Sequence, residues 1–214
     1  MRDSYRQQLE ALHTELIRMG ALCEEAISGA VTGLVEKNPG LRAGVEQLER
    51  DIDFKEREIE SLCVRLLLRE QPVAGDLRQI TAAQGMICDM ERIGDQAADI
   101  AALAEHMDGG AAASGVHIAE MARAAAKMLT DSVDSFVAGD VVKARGVPEY
   151  DDVVDELFAK IRDELIARIT EDALAAPQCL DLFMIAKYLE RIGDHAANIA
   201  EWVNYSVTGK RTFS

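Results

Sequence analysis

Apolar residues recur at alternating steps of three and four along most of this chain. Residues 77 to 101 set Leu77, Ile80, Ile87, Gly94, Ala98 and Ala101 on one line, with Gln84 and Glu91 among them. Residues 45 to 66 do the same with Val45, Leu48, Ile52, Ile59, Leu62 and Leu66, and Lys55 lies on that line. This is the period of an amphipathic α-helix, not the alternation of a strand. Breakers separate such segments: Asn38-Pro39-Gly40, Gln71-Pro72 to Gly75, the small-residue stretch from Asp108 to Gly115, Gly139-Asp140, Gly146-Val147-Pro148 and Ala175-Ala176-Pro177. Pro and Gly punctuate helices in this way. The pattern predicts six helices, at about 4–37, 41–70, 76–107, 115–138, 140–170 with a break near Pro148, and 177–207. Asp76 suits the N-cap of the third helix, and Pro177 the first turn of the sixth, where a missing N–H costs nothing. Thirty residues at about 1.5 Å each span on the order of 45 Å. Short connections make neighbouring helices antiparallel.

One segment occurs twice. Glu91-Arg-Ile-Gly-Asp95-Gln-Ala-Ala-Asp99-Ile-Ala101 returns as Glu190-Arg-Ile-Gly-Asp194-His-Ala-Ala-Asn198-Ile-Ala200, with nine of eleven positions identical at an offset of 99. Upstream the similarity continues at an offset of 102, where Glu49, Ile52, Asp53 and Ile59 fall on Asp151, Val154, Asp155 and Ile161. The repeating unit is three helices, so the expected fold is all-α: two tandem three-helix bundles, residues 1–108 and 115–214, joined through the Gly-rich stretch. Apolar seams on both units should pack together. Met86, Met90 and Met184 are expected to fill the core.

Composition narrows the function. Lys and Arg number 23 against 38 Asp and Glu, a net charge of −15. That excludes sequence-independent nucleic-acid binding, which relies on cationic side chains at phosphates, and disfavours anionic membrane surfaces. No stretch has the roughly 18 apolar residues of a membrane span, so no membrane insertion is expected. The opening MRDSYRQQLE carries no apolar run, and Cys23, Cys63, Cys88 and Cys179 form no CxxC pair. A reduced, cytoplasmic protein is expected.

The repeat also carries acids at helical i, i+4 spacing: Glu49/Asp53 and Glu91/Asp95 with Asp99 beyond, then Asp151/Asp155 and Glu190/Asp194 with Asn198 beyond. Residues four apart share a face, and like charges there repel by roughly 0.2–0.5 kcal/mol on an exposed helix. Compensation has two sources. Arg57, Arg65, Arg78, Arg92 and Arg191 are candidate counter-ions. If the second and third helices of each unit face one another, four or five carboxylates converge into an all-oxygen site for Mg²⁺, Mn²⁺, Ca²⁺ or iron. Glu91 lies on the inward line of Ile80 and Ile87. Gly94 and Gly193, each costing about 1 kcal/mol mid-helix relative to Ala, suggest a close approach there. The second stripe is the poorer one, with Phe158 where the first has Glu56 and Asn198 where it has Asp99. His195 points about 100° away from Asp194 and is expected at the surface or an interface.

The doubled Glu-Arg-Ile-Gly-Asp with an upstream acid pair in each half resembles the PhoU family of phosphate-signalling proteins, as does Cys63-Val-Arg-Leu-Leu-Leu-Arg-Glu-Gln-Pro72 followed by Asp76-Leu-Arg78. The resemblance spans nearly the whole chain. It implies two tandem three-helix bundles and metal ions (iron, zinc, manganese, magnesium or calcium) on Glu49, Asp53, Glu91, Asp95, Asp151, Asp155, Glu190 and Asp194, to which the spacing one turn beyond Asp95 adds Asp99 as a candidate ligand. It further implies a cytoplasmic negative regulator of the phosphate-starvation response, linking a phosphate ABC transporter ATPase to a sensor histidine kinase, and a homodimer. An enzyme is not expected. The chain has no Walker A, GxGxxG or GxSxG motif, and its single Glu-x-x-His, Glu10 to His13, falls short of the doubled motif of di-iron bundles. A plain scaffold with salt-bridged acids is the remaining reading.

Overall fold

A computed structural model describes residues 2–36, 38, 40–70, 72, 74–107 and 117–213. They form α1 (Arg2–Glu36), α2 (Gly40–Glu70), α3 (Gly75–Glu105), α4 (Ile118–Ala138), α5 (Val141–Glu171) and α6 (Ala176–Thr208), with a 3₁₀ turn at Ala173–Ala175 before α6. The periodicity located all six helices within a few residues. The joint between the two bundles, and residues 115 and 116 of the expected fourth helix, lie outside the described residues. Among the described residues no helix is long and apolar enough to cross a membrane.

Three local expectations are corrected or refined. α5 does not break at Pro148 but runs through it. An interior Pro costs about 3 kcal/mol through its lost hydrogen bond and ring clash. Burial of Ala144 and Val147 against the bundle, at 0% and 2% exposure, holds the helix on course. Asp76 does not cap α3; that position falls to Ala74, at φ 50°, and Asp76 sits inside the first turn, where its charge still favours the helix dipole. Pro177 does occupy the first turn of α6. Gly139-Asp140 is a built turn: Gly139, at φ 65°, ends α4 in the left-handed region. The Asp140 side chain accepts from the N–H groups of Val142 and Lys143, both at 3.0 Å.

Within each half the three helices pack on one another, and the halves join along α3 against α6 and α1 against α4. α3 and α6 run antiparallel. Near one end Arg78 donates to the Ser206 and Val207 carbonyls at 3.3 and 3.4 Å. In the middle His195 Nδ1 lies 2.9 Å from Asp89. One hydrophobic cluster, with Ile80, Met86, Met90, Ile93, Ile185, Leu189, Ile192 and Val203 among its buried members, spans both bundles. Gly85 receives the Trp202 indole: a Cβ there would lie 2.0 Å from a ring carbon. Met86 and Met90 are core residues, but Met184 is 41% exposed and is not. It falls on the repeat position of Gly85, at the rim of the seam.

Candidate metal centre

Each acidic stripe lies along the groove between the second and third helices of its half. Ile52, Ile59, Met90 and Ile93 are buried on the two helices of the first groove, and Val154, Ile161, Leu189 and Ile192 on those of the second. The glycines explain how close the helices come. A Cβ on Gly94 would stand 3.0 Å from Ile52 Cδ1, and one on Gly193 would stand 3.2 Å from Asp151 Oδ1. The expected close approach is therefore present at both glycines, with the Asp151 carboxylate lying over the bare backbone of α6.

Electrostatics show that carboxylates of paired helices face a common space. Partial burial, then the charges of Asp53 and Asp95, raise the Glu49 carboxyl above its ordinary range. Glu91 is raised by burial and then by Asp95, with Glu56 and Asp53 adding across the groove. Asp99 is raised by burial and Asp95, against the opposing charge of Arg191. In the second stripe Asp151 is pushed up to about 6 by burial, then by Asp155, Asp194 and Glu190. Asp194 is raised by burial and Glu190, while Lys187 and His195 oppose the shift. In both grooves burial raises these carboxyl groups first, and neighbouring carboxylates raise them further.

Both anticipated sources of compensation must be weighed against the side-chain positions. Arg57 reaches Asp53 at 3.2 Å. Arg92 reaches Asp95 at 3.2 Å and Glu91 at 3.4 Å. Both guanidiniums sit on the solvent side, with side chains 71% and 59% exposed. Arg78 is elsewhere, at the end of α6. Among the described residues no group of three or more His, Cys, Asp or Glu side chains is gathered closely enough to hold a metal ion. The donor set is hard, oxygen-only and short of cations, which fits Mg²⁺, Mn²⁺, Ca²⁺ or iron. To reach an ion in the groove, Asp53, Glu91 and Asp95 would have to turn away from the two arginines.

Several neighbours escaped the sequence reading. Cys88 precedes Glu91 by one turn on the same face, and its thiol hydrogen-bonds to Glu56 across the groove. The i−3 spacing from Glu91 was the available signal. Lys187, the repeat position of Cys88, pairs with Glu190 and lies 5.6 Å over the Phe158 ring. Asn198 leaves the stripe and donates to Asp89 at 3.4 Å, beside His195. His195 thus belongs to the interface between the halves. The change from Asp99 to Asn198 joins α6 to α3.

A model of the PhoU domain matches residues 16–104 and again 118–203. The chain is 35% identical over 209 residues to the phosphate-specific transport system accessory protein PhoU homolog of Pseudomonas aeruginosa, covering 97% of this chain and 86% of that one. It is 30% identical over 207 residues to the accessory protein PhoU of Escherichia coli, covering 96% and 86%. The crystal structure of PhoU from Pseudomonas aeruginosa superposes with a TM-score of 0.87 at 34% identity, over 96% of this chain and all of that one. The phosphate transport system regulatory protein PhoU from Streptococcus pneumoniae gives 0.86 at 25% identity, over 98% and 100%.

Proposed function

The chain belongs to the PhoU family, and on that premise we propose that it is a cytoplasmic, non-catalytic regulator of phosphate-specific transport. It represses the phosphate-starvation response by linking the ATPase of the phosphate ABC transporter to a sensor histidine kinase, and works as a homodimer. Relatives matched along nearly their whole length are named as accessory proteins of that transport system, which supports the role.

The acidic stripes hold its metal. Glu49, Asp53, Glu91, Asp95 and Asp99 serve the first site, and Asp151, Asp155, Glu190 and Asp194 the second; iron, zinc, manganese, magnesium and calcium are the candidate ions. The observation that supports this reading is the gathering of part-buried carboxylates along each groove where the paired helices come close at Gly94 and Gly193, with their carboxyl groups raised first by burial and then by one another. Elemental analysis of protein purified without a histidine tag or chelator tests it, with stoichiometric metal expected. Pull-down of the ATPase and the kinase at high and low phosphate tests the adaptor role.

The contacts of Arg57 and Arg92 favour a second reading, a metal-free scaffold whose acids are held by arginine. Metal-replete protein that purifies empty, with both arginines ordered on their partners, would decide for it.

A further inference from the structure

The outward face of α2 departs from the acidity of the chain. Arg50, Phe54, Arg57, Ser61, Val64, Arg65 and Leu68 form one helical strip, opposite the buried line of Val45, Ile52, Ile59 and Leu66. All seven are exposed, Phe54 at 65%, Val64 at 43% and Leu68 at 75%. Asp51, Glu58 and Glu60 are exposed at its edges; Asp53 meets Arg57, and Glu46, in line with Val64, is held by Arg42 at 2.8 Å. The same strip on α5, 102 residues further on, is acidic. Glu149, Asp152, Glu156 and Asp163 are exposed there and lead to Ile166, exposed at 56%. Asp163 also touches its neighbour Arg162 at 3.0 Å.

The two strips match in spacing as well as sign. Arg50 and Arg57 stand two turns apart, about 10.5 Å, and Arg65 follows after eight residues. Glu149, Glu156 and Asp163 keep the same two-turn step, and each ladder ends three residues later in an apolar side chain, Leu68 or Ile166. Laid parallel, each guanidinium meets a carboxylate and Leu68 meets Ile166. The strips do not meet within one molecule. α2 packs on α1 and α3, α5 packs on α4 and α6, and the halves join through the helices between, so the two strips lie on opposite flanks.

We propose that the α2 strip of one copy docks on the α5 strip of a second copy. The contact is heterologous, so further copies add to a pair instead of closing it. One helix-on-helix strip is smaller than the standard interface of about 1,600 Å², and the net charge of −15 opposes association, so binding is weak and governed by the local ladders. An anionic membrane is the poorer occupant, because the acids at the strip's edges and the overall charge repel it.

Sedimentation velocity on the full chain, with chelator present to exclude metal bridging, tests the contact at about 0.15 M salt and again at about 1 M. Average mass should rise with concentration at the lower salt and fall back at the higher. Arg57→Glu with Arg65→Glu, or Glu156→Lys with Asp163→Lys, should each weaken association on the order of tenfold. An equimolar mixture of the two reversed proteins should recover it, since each new strip then faces its opposite. Circular dichroism checks that these surface changes leave the helices intact. A wild-type chain that stays monomeric, a dimer indifferent to both reversals, a mixture that fails to recover, or binding to anionic vesicles in place of self-association would each overturn the proposal. An indifferent dimer would leave the homodimer proposed above standing.

Discussion

Layer by layer, the two acidic stripes agree in the middle and differ at both ends, where Phe158 stands for Glu56 and Asn198 for Asp99. The first half runs from Glu56 and Cys88, through Asp53 and Glu91, to Glu49 and Asp95. The second runs from Phe158 and Lys187, through Asp155 and Glu190, to Asp151 and Asp194. Backbone geometry is shared, down to the glycine at the closest approach. Charge compensation is not. In the second half Lys187 rises from α6, beside the groove, and pairs with Glu190. In the first half that position is a thiol; Arg57 and Arg92 pair with the stripe from the solvent side, and Arg191 opposes the charge of Asp99 from the other half. One helical frame therefore hosts an acidic groove with a built-in counter-ion and another that relies on an outside one.

The seam between the halves differs too, and there a single substitution should have the largest effect. Trp202 lies over Gly85, while the repeat counterparts are Leu103 and the exposed Met184. Gly85→Ala drives a methyl into the indole and should lower stability by about 3 kcal/mol, the upper end for overpacking. Met184→Ala at the matching position should cost less than about 1 kcal/mol. Urea melts of both proteins check this, and equal losses would mean that the two ends of the seam are equivalent after all.

Next in size is metal content. Asp95→Asn should weaken ion binding by at least about tenfold, and more than Asp194→Asn does, because the first stripe has Glu56 and Asp99 and lacks a lysine. Lys187→Met should bring the second stripe closer to the first. Elemental analysis of the three variants reads this out; identical losses from the two Asp→Asn changes would erase the distinction between the halves.

The parts of this asymmetry that were legible in the sequence are those carried by spacing along one helix. The six helices follow from apolar periodicity, the two units from the near-identity of residues 91–101 and 190–200, and the acid pairs from i, i+4 positions. Pro148 misled because local propensity was overruled by the burial of Ala144 and Val147 before it and of Val154 beyond it. Asp89 with His195 and Asn198, and Gly85 with Trp202, join residues more than a hundred positions apart. Such pairs depend on the antiparallel crossing of α3 and α6, which no single-helix pattern encodes. Whether a carboxylate turns into the groove or out to an arginine is a rotamer choice, and spacing sets only the face.

A smaller effect should appear in the pH dependence of the metal-free protein. Asp151 ionises at about 6 when folded, against a usual value of 3.8. The folded state therefore binds the extra proton, and its contribution is fully present below pH 3.8 and is lost as pH rises through about 6. Chelated protein should thus lose stability between those limits. Asp151→Asn should flatten that fall and leave the variant more stable than wild type at pH 7, with the gap narrowing towards pH 4. Thermal melts across this range decide it, and a gap that widens on acidification would reverse the sign of the argument.

The finest test lies at the layer where the halves diverge most. Cys88 is the exposed one of the four cysteines. Burial first, then the charge of Glu56 and the hydrogen bond to it, raise its thiol above the ordinary range. The thiolate is the reacting form, so alkylation by iodoacetamide near pH 8 should be slow for an exposed cysteine. Glu56→Gln removes the charge but keeps an acceptor, and should speed the reaction by roughly two- to fivefold. Placing Phe at Glu56, as the second half does with Phe158, removes charge and acceptor together and should speed it further, provided the ring does not cover the sulfur. Mass spectrometry of the labelled peptide follows both rates. An unchanged rate in Glu56→Gln would mean that Glu56 exerts no field on Cys88, and the first layer of that stripe would then be no more acidic than its counterpart.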